Sequence, residues 1–239
     1  MSSLTVVMDY VAELRQIMQS DMPDPVAAAI MAQLAGADGI AVHLREDRKH
    51  VQERDLRLLR QTIRSKLILL CAPTLEMTGF ALDIRPERVV LVPRIAEETP
   101  ADYGLDLIVH SKDIFETVDT LQNNGISVGV SIPADPEQAK LAHQIHADWV
   151  QIHAGKLQAA ASPDSQSQEL DRMIATAKMA HKLRLRISIG HGLDSRLIKL
   201  FKGIPEIDEF SLGKGITALA LMKGMERAVA DTINLIRTL

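Results

Sequence analysis

Short runs of branched apolar residues alternate along this chain with longer segments whose apolar positions recur every three or four residues. The short runs have the length and the Val, Ile and Leu content of strands buried on both faces, and the longer segments have the period of amphipathic helices. The predicted strands cover residues 4–8, 39–43, 67–71, 88–92, 126–131, 149–153, 185–189 and 209–212. Eight strands that alternate with helices predict an α/β fold, a TIM (β/α)8 barrel with extra helical segments. An open, doubly wound parallel sheet with additional strands is the alternative.

Capping residues support the helices between these strands. Asp24, Thr74, Asp135 and Ser162 each stand directly before a proline or another good helix former, as the start of a helix favours. The predicted helices cover residues 26–35, 51–64, 75–83, 137–146 and 166–181. Because 239 residues come close to the roughly 250 that one such barrel needs, we expect a single TIM-barrel domain over residues 1–239.

Two connections are longer than a minimal barrel requires. Residues 9–21 follow the first strand and carry polar side chains such as Asp9, Tyr10 and Glu13, which fits either a functional loop or a helical insertion. Residues 94–106 follow the fourth strand, are acidic and contain Pro100, so we expect a mobile loop over the barrel mouth.

Composition narrows the class of protein. A formal net charge of −4 with 46% hydrophobic residues fits a globular protein with a sizeable core and does not suggest a nucleic-acid partner. Cys71 is the single cysteine and no Cys/His spacing resembles a zinc site, which favours a reducing compartment. The N-terminus lacks the features of a signal peptide, and no apolar run approaches the ~20 residues of a membrane helix. We therefore expect a cytoplasmic location and no membrane partner.

The clearest candidate chemistry lies where residues 39–43 leave the barrel. This apolar strand ends in a cluster of charged and imidazole side chains that includes His43, Arg45 and His50. All strands of a parallel barrel point the same way, so their ends share one mouth, and His191 stands at the end of the seventh strand. Imidazole exchanges protons near neutral pH, which makes His43 and His191 candidate general acid–base residues.

Glycine-bearing turns follow the seventh and eighth strands. Gly192 and Gly213 lie in these turns, and Lys214 adds a positive charge. Glycines let backbone N–H groups approach an anion, and in this fold the two turns commonly form a phosphate site, which we predict here. Glycines that only close the turns are the alternative. A second candidate anion site consists of the basic residues after the second strand: Arg45, Arg48, Lys49 and His50. A solvated basic face is the alternative for this second group.

Motifs across nearly the whole chain resemble those of the pyridoxine 5′-phosphate synthase family, barrel enzymes of vitamin B6 biosynthesis. The longest is Val-His-Leu-Arg-Glu-Asp-Arg at residues 42–48, supported by Pro-Asp-Pro at 23–25, Ala-Gly-Ala-Asp-Gly at 35–39 and Gly-His-Gly-Leu at 190–193. The resemblance implies condensation of 1-deoxyxylulose 5-phosphate with 3-amino-2-oxopropyl phosphate, with loss of inorganic phosphate and water. It also implies that the reaction needs no organic cofactor and no metal.

The same resemblance implies residue roles. His43 matches a histidine acid–base catalyst of the family, and His191 matches its proton donor. The other matched positions are implied substrate contacts: Asp9, Arg45 and His50 for the deoxyxylulose phosphate, and Gly192, Gly213 and Lys214 for the aminoketone phosphate.

The chain also departs from the family pattern. Leu70 stands where the family has a catalytic glutamate at the end of the third strand, and Gln151 replaces a glutamate on the sixth. Tyr10 replaces a histidine and Met18 an arginine in the first connection, and Lys214 replaces a histidine. Because leucine cannot transfer a proton, these changes predict altered or reduced activity.

Two functional hypotheses follow. The first is an enzyme, a divergent pyridoxine 5′-phosphate synthase that uses His43 and His191 on phosphorylated substrates. The second is a catalytically degenerate barrel that binds a phosphorylated metabolite as a regulatory or accessory protein. The resemblance also implies a homo-oligomer, for which the apolar helix at residues 216–225 is a candidate surface; ordinary core residues are the alternative for this helix.

Overall fold

The computed structural model describes residues 2–94 and 104–239 and contains a closed barrel of parallel strands in sequence order. The strands are β1 Ser3–Val7, β2 Gly39–His43, β3 Lys66–Cys71, β4 Arg88–Leu91, β5 Ser127–Ile132, β6 Trp149–His153, β7 Arg186–Gly190 and β8 Glu209–Leu212. The pairing of β1 with β8, which places Leu4 opposite Phe210, closes the ring. The prediction of a TIM barrel is therefore confirmed, and the open-sheet alternative is wrong.

Helices cover the outside of the barrel. In the described residues they are α1 Asp9–Ile17, α2 Pro25–Leu34, α3 Glu53–Thr62, α4 Leu75–Ile84, α5 Leu107–Asn123, α6 Pro136–Gln144, α7 Gly155–Ala159, α8 Pro163–Lys182, α9 Lys214–Lys223 and α10 Met225–Ile236, with a 3-10 helix at Ile198–Phe201. The predicted caps form: Asp24 accepts the N–H of Val26, and Asp135 accepts that of Glu137. None of the described helices is long and apolar enough to cross a membrane.

The connection after β1 is helical. Residues 9–17 form α1, which buries Val11 and Ala12 and begins with the acidic Asp9, so the connection contains a helical insertion, and a functional role of the same residues stays a prediction. Several predicted helix bounds are off. Helix α3 covers Glu53–Thr62 rather than 51–64, α6 ends at Gln144 rather than at 146, α8 begins at Pro163 rather than at 166, and the helix predicted at 216–225 is α9, Lys214–Lys223. Residues 95–103 of the predicted mobile loop lie outside the described part of the chain.

The inside of the barrel has an apolar sector and a polar sector. The apolar sector consists of buried side chains from β2 to β4 and the residue after β4: Ala41, Ile68, Leu70, Val90 and Val92. The polar sector consists of buried side chains from β5 to β8: Ser131, Gln151, His153, Ser188 and Ser211. The polar sector needs hydrogen-bond partners that the apolar sector does not, because a buried polar atom without a partner is costly.

An ion pair crosses the inside of the barrel between β4 and β8. The guanidinium of Arg88 donates to Glu209 Oε1 across 2.6 Å, and both side chains are buried. Thr5 and Ser188 also donate to the Glu209 carboxylate, and the Trp149 ring lies 4.0 Å from the guanidinium carbon. The charge inside this part of the barrel is therefore compensated by the protein itself.

Candidate active site

A cavity of about 260 Å³ opens at the carboxyl ends of the strands. All the site residues predicted from the sequence line it: Asp9, His43, Arg45, His50, His191, Gly192, Gly213 and Lys214. They meet because each one ends a strand or lies in the segment that follows a strand, and these strand ends share one face of the barrel. Their roles in catalysis or binding stay predictions.

Asp9 and His43 join the ends of β1 and β2 at the cavity wall. The backbone N–H of His43 donates to Asp9 Oδ1 across 2.7 Å. Burial raises the pKa of Asp9 to about 7, which the bond from His43 opposes and the nearby charge of Glu13 reinforces. A carboxyl group with this pKa exchanges a proton near neutral pH.

His43 is held as a neutral imidazole. Burial, with smaller electrostatic contributions from His191 and Arg45, lowers its pKa to about 3. At neutral pH the ring therefore carries one proton and has one free lone pair. Such a ring accepts a proton from a substrate atom without first having to lose one.

His153 and His191 form a stacked pair on the other side of the cavity. Their ring centroids lie 4.3 Å apart with an interplanar angle of 24°. Burial lowers the pKa of His153 to about 3, and the charge of His191 adds to the effect. His191 is the more exposed ring, and its backbone lies in the left-handed region with φ of 60°, followed by Gly192 at 74°. Two successive residues with positive φ turn the chain sharply back over the cavity.

The turns after β7 and β8 form one corner of the cavity. Gly213 immediately precedes α9, and Lys214 is the first residue of that helix. A Cβ atom at Gly213 would lie 3.0 Å from the ring of Tyr10, so this position leaves no room for a side chain. The helix start, the lysine and the close backbone make this corner suitable for an anion.

A second positively charged corner lies after β2. Arg45 donates to both carboxylate oxygens of Asp47, at 2.8 and 2.6 Å, and Asp47 is half exposed. His50 Nδ1 is buried without a hydrogen-bond partner among the described residues. Since a partly exposed ion pair of this kind contributes only ~1 kcal/mol, replacing Asp47 at Arg45 by another anion would cost little.

Arg48 and Lys49, two basic residues of the predicted second anion site, are not among the residues that line the cavity. Arg48 is paired with Glu53 and Glu76 and lies over the Phe80 ring, away from the cavity lining, so its role as an anion contact stays a prediction. Lys49 is exposed and does not line the cavity. Arg48 instead fixes the shape of the segment that carries Arg45, because it also donates to the carbonyl of Glu46.

Helix α1 holds His50 in place from outside the cavity. Arg15 forms a two-pronged ion pair with the buried Asp55 at 2.8 and 2.6 Å and also donates to the carbonyl of His50. Gln16 accepts the N–H of His50. These contacts were not predicted from the sequence, because the partners are separated by 34 to 40 positions and no local pattern connects them.

The wall opposite the polar sector is apolar. Leu70 lies beside His43 in the strand register and packs with Ile68, Val90 and the other members of the apolar sector. Glu13, which was not predicted as a site residue, also lines the cavity. Within the described residues, no three His, Cys, Asp or Glu side chains come together as metal ligands.

Comparison with known proteins places this site in a family. A family model described as "Pyridoxal phosphate biosynthesis protein PdxJ" matches residues 4–238. The chain belongs to the PdxJ family. The pyridoxine 5′-phosphate synthase of Desulforapulum autotrophicum is 46% identical over 239 residues, which is 100% of both chains. That of Syntrophobacter fumaroxidans is 44% identical over 236 residues, which is 99% of each. The family resemblance predicted from the motifs is thus confirmed.

Solved structures of other enzymes share the fold of this PdxJ family member. KGPDC from Streptococcus mutans superposes with a TM-score of 0.66 at 16% identity, covering 99% of this chain and 97% of that one. Thiamine phosphate pyrophosphorylase from Pyrococcus furiosus superposes with a TM-score of 0.63 at 16% identity, covering 98% and 95%. At these identities the likeness concerns the barrel fold alone.

Proposed function

We propose that this chain is a pyridoxine 5′-phosphate synthase that condenses 1-deoxyxylulose 5-phosphate with 3-amino-2-oxopropyl phosphate and releases inorganic phosphate and water. Family membership and the synthase names of its full-length relatives support the reaction. The observation that carries the proposal is a single cavity with a positively charged corner at each of two sides and imidazole groups in its wall. Such a cavity suits two phosphorylated molecules that must react with each other.

In this proposal the two corners hold the two phosphates. Arg45 and His50 bind the phosphate of the deoxyxylulose substrate, for which the unpartnered Nδ1 of His50 offers a direct contact. Gly192, Gly213 and Lys214 bind the phosphate of the aminoketone, with backbone N–H groups at the start of α9 beside the lysine ammonium. The carbon atoms that must be joined then lie between the corners.

Proton transfer is assigned to groups between these corners. His43, neutral and buried, accepts a proton from the substrate, and His191, the more exposed ring, donates one to the departing oxygen. Asp9 lines the same wall and has a pKa of about 7, so its carboxyl group can exchange a proton near neutral pH. The side chain of Leu70 has no group that can do so. The reaction therefore relies on imidazole and on this one aspartate.

We also propose that the enzyme works in the cytoplasm as a homo-oligomer. Helix α9 exposes Leu221 and Met222, which are 70% and 84% accessible, and large apolar side chains of this kind are commonly covered by another subunit. Light scattering behind a size-exclusion column tests this. A monomer at micromolar concentration would contradict the homo-oligomer.

Calorimetry tests the assignment of the two corners. The double variant Arg45→Ala/His50→Ala is expected to bind 1-deoxyxylulose 5-phosphate at least about tenfold more weakly and to keep its affinity for the aminoketone phosphate. Lys214→Ala is expected to show the opposite pattern. Lys49→Ala is the matched control, since it removes a nearby positive charge outside the cavity. Equal losses of both ligands in both variants would contradict separate corners.

A further inference from the structure

Three buried polar side chains form a continuous patch in the cavity wall. Ser131 on β5 and Gln151 on β6 are register partners, and His153 follows two positions along β6 on the same face. Ser131, Gln151 and His153 are 0%, 3% and 5% exposed, and all three line the cavity. We call these three residues the β5–β6 patch.

Each residue of the β5–β6 patch has a buried atom without a hydrogen-bond partner in the described part of the chain. The atoms are Ser131 Oγ, Gln151 Oε1 and His153 Nε2. By contrast, the Ser188 hydroxyl on β7 donates to Glu209, deeper in the same polar sector. Buried polar atoms in native proteins nearly always have a partner, so these three atoms side by side in a cavity are available to water or to a bound molecule.

His153 can act only as a donor toward the cavity. Its Nδ1 accepts the N–H of Gly155 at 3.1 Å, so the ring hydrogen is on Nε2. Burial holds the pKa of the ring at about 3, which keeps it neutral over the working pH range. The stack with His191 fixes the plane of the ring and therefore the direction of the Nε2–H bond.

Gln151 and Ser131 supply acceptors beside this donor. The Gln151 side chain lies against Gly190, where a Cβ atom would come within 2.8 Å of the Gln151 amide. The missing side chain at Gly190 therefore leaves the space that the Gln151 amide occupies. Gln151 Oε1 can accept a hydrogen bond, and the Ser131 hydroxyl can accept or donate one. The patch has no net charge and does not attract phosphate. Its pattern of one donor next to acceptors fits a carbonyl group with a hydroxyl group on the neighbouring carbon.

We propose that the β5–β6 patch binds the α-hydroxyketone part of a phosphorylated ketose, with His153 Nε2–H donating to the carbonyl oxygen and Gln151 Oε1 accepting from the adjacent hydroxyl. Ser131 completes the contact to the hydroxyl oxygen. This inference rests on the proposed function, because it takes the phosphate of the same molecule to be held by Arg45 and His50. The patch orients the carbonyl carbon, and the charged corners supply most of the affinity.

Two substitutions of His153 separate hydrogen bonding from packing. His153→Phe keeps a ring that stacks on His191 and loses the donor, whereas His153→Gln loses the ring and keeps an amide N–H at the reach of Nε2. We expect His153→Phe to weaken binding of 1-deoxyxylulose 5-phosphate about tenfold and His153→Gln to weaken it less. A packing role predicts the reverse order. Inorganic phosphate, which has no carbonyl, is expected to bind both variants like the wild type.

A serine pair provides the matched control. Ser131→Ala is expected to weaken binding of the ketose phosphate severalfold and to leave binding of inorganic phosphate unaffected. Ser188 is a buried serine that is not among the residues lining the cavity, so Ser188→Ala should leave the ratio of these two affinities unchanged. Unchanged ketose affinity in His153→Phe and Ser131→Ala, with wild-type binding intact, overturns the patch alone. Failure of the wild type to bind the ketose phosphate overturns the patch together with the proposed function.

Discussion

The backbone N–H of His43 donates to the carboxylate of Asp9 across 2.7 Å, and this bond ties the first residue of α1 to the last residue of β2. It places a carboxyl group that titrates near pH 7 next to a neutral imidazole. Leu70 supplies no carboxylate to this side of the cavity. Asp9, at the start of the helix after β1, supplies one instead.

The raised pKa of Asp9 predicts how its substitution changes stability with pH. The Asp9 carboxyl has a pKa of about 7 in the folded state, against an ordinary value of 3.8. Between these two pH values the native state binds more protons than the unfolded state does. The contribution of Asp9 to the free energy of unfolding therefore falls as the pH rises from about 4 to about 7. Asp9→Asn removes this slope. We expect the free energy of unfolding of the variant, relative to the wild type, to increase by at most about 4 kcal/mol between pH 4.5 and pH 8 in urea titrations. A constant difference across this range would contradict the raised pKa.

His43 and His191 are expected to act on the chemical step. His43→Gln and His191→Gln should each lower kcat by ~10²–10⁴ with little change in the affinity for either substrate, because a general acid or base is lost and the phosphate contacts remain. Steady-state kinetics and calorimetry together check this. His181→Gln, on the exposed surface of α8, is the matched control and should keep wild-type turnover. Variants of His43 and His191 with near wild-type kcat would remove both from the mechanism.

The ion pair between Arg15 and Asp55 is expected to support His50. Arg15→Met leaves the Asp55 carboxylate buried without its partner, which should cost about 3–5 kcal/mol of stability and weaken binding of the deoxyxylulose phosphate. The double variant Arg15→Met/Asp55→Asn removes the charge and keeps an acceptor for the N–H of Gln52, so it should regain part of the stability. Denaturant titration measures both effects. An Arg15→Met protein as stable as the wild type would contradict this role of the ion pair.

Leu70→Glu is expected to harm the fold and not to raise turnover substantially. The new carboxyl would lie among Ile68, Val90 and Val92, where a charge is poorly solvated. We expect a lower melting temperature, with a larger loss at pH 8 than at pH 5 because only the ionised form is strongly disfavoured. Leu70→Gln has the same shape without the charge and should lose less at pH 8. A large gain in turnover from Leu70→Glu alone would show that Tyr10 and Met18 do not limit activity.

The sequence predicts the barrel well because each buried strand is a short apolar run that can be recognised locally in the sequence. The run of residues 39–43 is apolar up to its polar end at His43, so both the strand and the site residue that ends it are visible in one short segment. His43 and His191 were found in this way. Their meeting in one cavity follows from the parallel arrangement of the strands.

The features that the sequence does not predict depend on partners far apart in the chain. The hydrogen bond from Arg48 to Glu76, 28 positions away, leaves no local pattern in the sequence. The pairing of Arg15 with Asp55 is equally distant from any local pattern. The unpaired atoms of Ser131 and His153 follow from burial inside the closed barrel, which an alternation of polar and apolar residues does not specify. That residues 1–239 form one domain stays a prediction.

We expect two phosphorylated molecules to be joined in one cavity of this protein. The decisive measurement is the amount of pyridoxine 5′-phosphate and of inorganic phosphate formed when the wild-type protein is incubated with 1-deoxyxylulose 5-phosphate and 3-amino-2-oxopropyl phosphate. We predict equal amounts of both products, formed only when both substrates are present. Binding of the substrates without any pyridoxine 5′-phosphate, or release of phosphate from either substrate alone, would contradict it.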